Sequence, residues 1–168
     1  MASASLRMEG VVPLGLGDLW RLISLHMDED TIRAIHPWML SGRVLRDEGR
    51  VSYEDAVLPS RHVVDRVIRV AGRQVRDTWT YTIEPPTSFT YEIRSREGLA
   101  STVKNDYRQE GSGVRVRTDA NLEFGRVPSF LQRRIGGRLL TRADDEDLAY
   151  VGRHGFQTMR KADGPKGT

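Results

Sequence analysis

An α+β fold is what this sequence predicts: a curved antiparallel sheet of about seven strands, with two short helices after strand 1 and a long C-terminal helix packed on the sheet. Three observations carry that expectation. Apolar residues recur at every second position over much of the stretch from about 40 to 124, and they recur with helical spacing from 16 to 35 and again beyond 125. The turn signals between the alternating runs are short, which makes consecutive strands antiparallel neighbours.

The first strand covers about 4 to 12, where Leu6, Met8, Gly10 and Val12 alternate with Ser5, Arg7, Glu9 and Val11 ahead of Pro13. Leu16, Leu19, Trp20, Ile23 and Met27 then lie along one stripe of an amphipathic helix. A second short helix follows. Asp28 caps its start, Glu29 and Asp30 suit the positive end of its dipole, Ile32 and Ile35 supply its buried side, and Pro37 ends it.

In the sheet region, turns are signalled at Asp47-Glu48-Gly49, Leu58-Pro59-Ser60, Ala71-Gly72, Glu84-Pro85-Pro86, Arg96-Glu97-Gly98 and Glu110-Gly111-Ser112-Gly113. The clearest alternation sets Val75, Asp77, Trp79, Tyr81 and Ile83 against Gln74, Arg76, Thr78, Thr80 and Thr82. Phe89, Tyr91 and Ile93 face inward by the same logic, as do Val103, Asn105 and Tyr107, and then Val114 through Phe124 at alternate positions. In the stretch 42–57, Gly49 marks either a tight turn between two strands or a bulge in one long bent strand, the bulge being the preferred reading, and 62–70, with Asp65, Arg66 and Arg69 placing charge on both faces, reads as an edge strand.

Beyond Gly125, with Pro128 in the first turn, Phe130, Leu131, Ile135, Leu139, Leu140, Leu148 and Val151 offer a buried helical stripe. Gly136-Gly137 inside that helix costs about 1 kcal/mol per glycine relative to alanine, so it marks a kink or a close approach of helix to sheet. Residues 1–160 form the expected single domain, and the polar 161–168 a disordered tail.

With 168 residues the chain can bury a core without staples, and it has no cysteine, which excludes disulfides, thiolate nucleophiles and zinc knuckles. The N-terminus lacks the pattern of a secretory signal, and no run of about 18 apolar residues occurs, so a soluble, cytoplasmic protein is expected. Arginine supplies 23 of the 26 cationic residues, but 23 acidic residues nearly balance them, and a nucleic-acid partner is not expected. The densest basic group, Arg133, Arg134 and Arg138 with Arg126 and Arg142, suits either a solvated helix face offset by Asp144, Asp145, Glu146 and Asp147 or peripheral contact with anionic lipid. A monomer or a homodimer is compatible with all of this.

Asp18-Leu19-Trp20, Ile35-His36-Pro37, the run from Ile83 to Tyr91 through Glu84-Pro85-Pro86-Thr87-Ser88, and Gly111-Ser112-Gly113 before Val114-Arg115-Val116 carry a resemblance to the START-like (SRPBCC) superfamily of polyketide cyclases, lipid-transport proteins and birch-pollen-allergen-like proteins. It spans about 4–155. The resemblance implies a helix-grip fold, in which the terminal helix closes a cavity against the sheet, and a small hydrophobic ligand such as a lipid, polyketide or aromatic compound. It implies no shared catalytic residue and no cofactor.

Given such a cavity, Trp79, Tyr81, Phe89, Tyr91 and Tyr107 offer flat apolar walls with hydroxyl handles, although for any one of them ordinary core packing is the favoured reading. Phe130, Ile135 and Leu139 of the terminal helix would face them. Asp77 and Asn105 fall on the apolar face, where an unpaired polar group costs roughly 1–3 kcal/mol, so each requires a partner or a ligand. In an enzyme, Asp77 is the candidate general base and Tyr107 the candidate acid. His26, His36, His62 and His154 show no HxxxH or HExxH spacing, so no metal site is expected; no GxSxG elbow is present, and Gly15-Leu16-Gly17 reads as a strand-to-helix turn. The chain is thus expected to bind or carry an apolar ligand. Its rivals are a cyclase/dehydratase-like enzyme using the same cavity and a co-chaperone-like interaction module with a filled interior.

Overall fold

A computed structural model of the chain describes residues 3–70, 72–96, 100–123 and 127–158. The turn residues Ala71, Glu97 and Gly98, the inward Phe124, Gly125, Arg126 and the tail 161–168 lie outside these.

Strand β1 (Ala4–Val12) is followed by helices α1 (Leu16–Leu25) and α2 (Glu29–Ile35), which carry the chain to β2 (Met39–Glu48). A small hairpin of β3 (Val51–Tyr53) and β4 (Ala56–Leu58) comes next, and then a meander of β5 (Arg61–Val70), β6 (Arg73–Glu84), β7 (Ser88–Ser95), β8 (Ala100–Glu110) and β9 (Gly113–Leu122). Helix α3 (Ser129–His154) is the last of the described elements. The seven-stranded antiparallel sheet runs β1-β9-β8-β7-β6-β5-β2, so α1 and α2 bridge its two edges while the meander walks back to β1. This is the α+β helix-grip architecture that the alternation and turn chemistry predicted.

Local chemistry explains the boundaries. Asp28 caps α2, its carboxylate accepting from the Thr31 backbone N–H at 2.9 Å and from the Thr31 hydroxyl at 2.8 Å. The turn from β8 to β9 uses Gly111 at φ 60°, a left-handed conformation that glycine adopts without a Cβ clash. Inward residues of β6 alternate strictly, with Asp77, Trp79, Tyr81 and Ile83 buried, and Trp20 of α1 is fully buried, its indole N–H donating to the Pro86 carbonyl at 3.2 Å.

Three expectations are corrected. Residues 42–57 are not one bulged strand: β2 ends at Glu48, Gly49 turns at φ 67°, and a separate hairpin forms with Glu54 at φ 50° in its loop. Irregularities do occur in β2, but earlier, between Met39 and Ser41 and between Val44 and Arg46. Strand β5 is not an edge; it lies between β2 and β6, and its charges are absorbed by neighbours, Asp65 accepting from the Thr78 hydroxyl at 2.8 Å and Arg66 pairing inward with Glu29 at 2.9 Å. Charge on both faces of a strand marks an edge only if nothing answers it.

The third correction concerns α3. Phe130 is 69% exposed, and Leu131 and Ile135 are exposed too. The helix instead turns the row Gln132, Gly136 and Leu140 toward the sheet, with Gln132 and Gly136 buried. Gly136 decides this register, because a Cβ there would collide with the Leu122 side chain of β9. The two glycines thus mark a close approach within an uninterrupted helix. Among the described residues no helix is long and apolar enough to cross a membrane.

Candidate functional site

Between the inner face of the sheet and the helices lies a cavity of about 510 Å³. Its floor is aromatic: Trp79 and Tyr81 from β6, Phe89 and Tyr91 from β7, and Tyr107 from β8. Register brings these together, since Tyr81 lies opposite Tyr91 and Ile83 opposite Phe89 across the β6/β7 pair. The rings of Trp79 and Tyr91 stack with centroids 5.7 Å apart, and those of Tyr81 and Phe89 at 5.4 Å. Burial pushes the Tyr81, Tyr91 and Tyr107 phenols up, so all three keep their protons at neutral pH.

Asn105 lies across from Phe89 on one side and Thr118 on the other. Its side-chain carbonyl accepts from the Thr118 hydroxyl at 2.7 Å, and its amide donates to the Phe89 carbonyl at 3.5 Å. The polar group expected on this face is therefore anchored by its neighbours while still lining the cavity. Trp79 differs: its buried indole N–H has no acceptor among the described residues.

Asp77 does not line the cavity, which on β6 begins at Trp79. It is buried, with Oδ1 unpartnered among the described residues, and burial pushes its carboxyl up to about 6. Alternation fixes which face a residue occupies but not how far the cavity extends along the strand, and of the β6 residues only Trp79 and Tyr81 line it. Phe130 and Ile135 point to solvent, and Leu139 is half-buried but does not line the cavity; Leu140, Ala143 and Leu148 contribute the helical wall instead.

The wall also holds a group that sequence spacing did not reveal. His26, just past α1, His36, just past α2, and Asp147 of α3 converge there. His26 Nε2 lies 2.9 Å and His36 Nε2 3.1 Å from the same oxygen, Asp147 Oδ1, and the two nitrogens are 3.4 Å apart. Burial disfavours the His26 imidazolium, but the Asp147 charge and hydrogen bond outweigh it, so the net shift is upward. Burial likewise opposes the Asp147 carboxylate, yet the two imidazoles hold its carboxyl well below the usual range. Asp144, at the solvent-facing rim, is pushed up to about 6 by the surrounding protein and by the charges of Asp147 and Asp145. The only sequence signal was that each histidine follows a short helix; their meeting with a residue more than 100 positions away is a tertiary event.

The helix-grip fold and its cavity define a class before any comparison is made. Ara h 8.0201 is similar in structure at a TM-score of 0.68 and 14% identity, over 89% of this chain and 98% of that one. The Zhui aromatase/cyclase from a Streptomyces strain is similar at 0.64 and 12% identity, over 98% and 100%. A START superfamily protein from Mycobacterium smegmatis is similar at 0.62 and 14% identity, over 90% and 97%. No family model and no curated protein matches the sequence. At these identities the likeness establishes the fold, which is START-like.

Proposed function

We propose that the protein binds a small, flat, largely apolar molecule in this cavity. The observation that carries the reading is the cavity itself, about 510 Å³ and floored by five aromatic side chains, within the roughly 300–1,000 Å³ usual for small-molecule sites. Asn105, anchored by Thr118 and lining the cavity beside Tyr91 and Tyr107, supplies a polar point, so a ring system bearing a carbonyl or hydroxyl suits the site better than a plain alkyl chain. Titration with the naphthalene dye ANS and with a hydroxylated anthraquinone, followed by tryptophan fluorescence, tests this. Saturable one-to-one binding is expected, with a loss of at least about tenfold in Val116→Trp, which fills the cavity from β9. Unchanged affinity in that variant places the probes elsewhere and refutes the reading.

A second reading, cyclase-like chemistry on such a ligand, is favoured by the imidazoles and carboxylates on the wall. Incubation with a poly-β-ketone mimic separates the two: a carrier returns it unchanged, while an enzyme yields a product of altered mass. Arg133, Arg134 and Arg138 stand exposed on α3 beside exposed Phe130 and Ile135, which supports peripheral contact with anionic headgroups at this end of the molecule.

A further inference from the structure

We propose that His26, His36 and Asp147 form a binding site for one zinc-class divalent metal ion, with an open coordination position facing the cavity. The donor set is two imidazoles and a carboxylate, which suits such an ion and fits the three-ligand sites that leave a position for water or substrate.

The geometry is that of ligands around a single centre. Tetrahedral donors about 2.05 Å from an ion stand about 3.3 Å from one another. Here the three separations are 2.9, 3.1 and 3.4 Å. Without a metal, a proton on each Nε2 serves the two contacts to Asp147; an ion would replace both protons and take all three atoms as ligands.

The surroundings orient the donors. His26 Nδ1 lies 3.0 Å from the Leu22 carbonyl, and since a carbonyl only accepts, Nδ1 carries the proton and Nε2 is turned toward Asp147. That arrangement, one imidazole nitrogen fixed by a backbone carbonyl and the other presented to the centre, is how proteins hold a ligating histidine. His36 is almost wholly buried at 2% exposure, and its Nδ1 has no hydrogen-bond partner among the described residues. Glu146 Oε1 stands 3.8 Å from that Nδ1 and is itself held by the Trp38 indole N–H at 2.9 Å and by Arg142 at 3.3 Å. All three proposed ligands line the cavity, so the vacant side of the centre opens toward whatever occupies it.

The experiment uses untagged, chelator-treated full-length protein titrated with Zn²⁺ by calorimetry and with Co²⁺ by visible absorption. One ion per chain is expected, with the intense d–d bands of a four-coordinate Co²⁺ site. His36→Ala, Asp147→Asn and His26→Asn should each weaken Zn²⁺ binding by at least about 100-fold, since even residues behind a ligand cost 10–100-fold when changed. Absence of saturable binding to the wild type, or binding that survives all folded variants, overturns the proposal. Where a variant fails to fold, the wild-type Co²⁺ spectrum decides alone, and octahedral or absent bands count against the site. The measurement contains no organic ligand, so its failure is distinct from failure of the ligand reading.

Discussion

Two polar clusters lie within this fold, and they are built in opposite ways. Around Arg66, donors meet acceptors: its guanidinium pairs with Glu29 at 2.9 Å and donates to the Tyr81 hydroxyl, while His62 lies 3.9 Å from Glu29 and 2.5 Å from Asp47. Burial opposes the Glu29 charge, but His62 and Arg66 together hold its carboxyl below the usual range. Around Asp147, by contrast, two imidazole nitrogens and a carboxylate oxygen converge, and the group borders the cavity. The first cluster centres on an Arg66–Glu29 ion pair that secures α2 to the sheet, although His62 Nε2 has no hydrogen-bond partner among the described residues. In the second, one carboxylate oxygen receives two imidazole N–H groups, and a bound ion would displace those protons.

The largest effect is expected from breaking the first cluster. Arg66→Met leaves Glu29 facing the interior without its cation and should destabilise the fold by about 3 kcal/mol or more in urea denaturation, with Zn²⁺ affinity unchanged in the folded fraction. A neutral result would mean that the pairing contributes nothing beyond its own desolvation, and the contrast would collapse.

Asp77 sharpens the comparison, because it is a buried carboxyl belonging to neither cluster. Its folded value of about 6 lies above the ordinary 3.8, so the native state binds more protons than the unfolded chain between these values. Asp77 therefore costs nothing below about pH 4, and the cost grows as pH rises through 6. Asp77→Asn should stabilise the protein at pH 8 by at most about 3 kcal/mol, the equivalent of the two-unit shift, and by almost nothing at pH 3.5. Equal effects at both pH values would show that its carboxyl is not displaced.

The smallest effect is expected where neither cluster is touched. Phe130→Ser should change stability by no more than about 0.5 kcal/mol, because the ring is 69% exposed. It should nevertheless reduce cosedimentation with phosphatidylserine vesicles if that face meets lipid. Binding equal to that on phosphatidylcholine vesicles would remove lipid contact from the account.

Much of this was legible in the chain. Period-two alternation placed Trp79, Tyr81, Phe89, Tyr91, Asn105 and Tyr107 on one face, and antiparallel register then gathered them into one wall. The cap at Asp28 and the turn at Gly111 were local events with local signatures. For α3 the apolar pattern misled, because a helix packs where it can approach. The row containing Gly136 approaches most closely, leaving Phe130 and Ile135 outside despite their hydrophobicity.

What the sequence by itself determined, then, is the class of fold and the aromatic face of the sheet, since strand alternation, caps and turns are read from neighbours a few residues apart. The tertiary structure alone decided the register of α3, the answering of Arg66 by Glu29, the isolation of Asp77, and the meeting of His26 and His36 with Asp147. Each of these depends on side chains brought together from distant parts of the chain, where packing distance and charge compensation, rather than local periodicity, choose the partner.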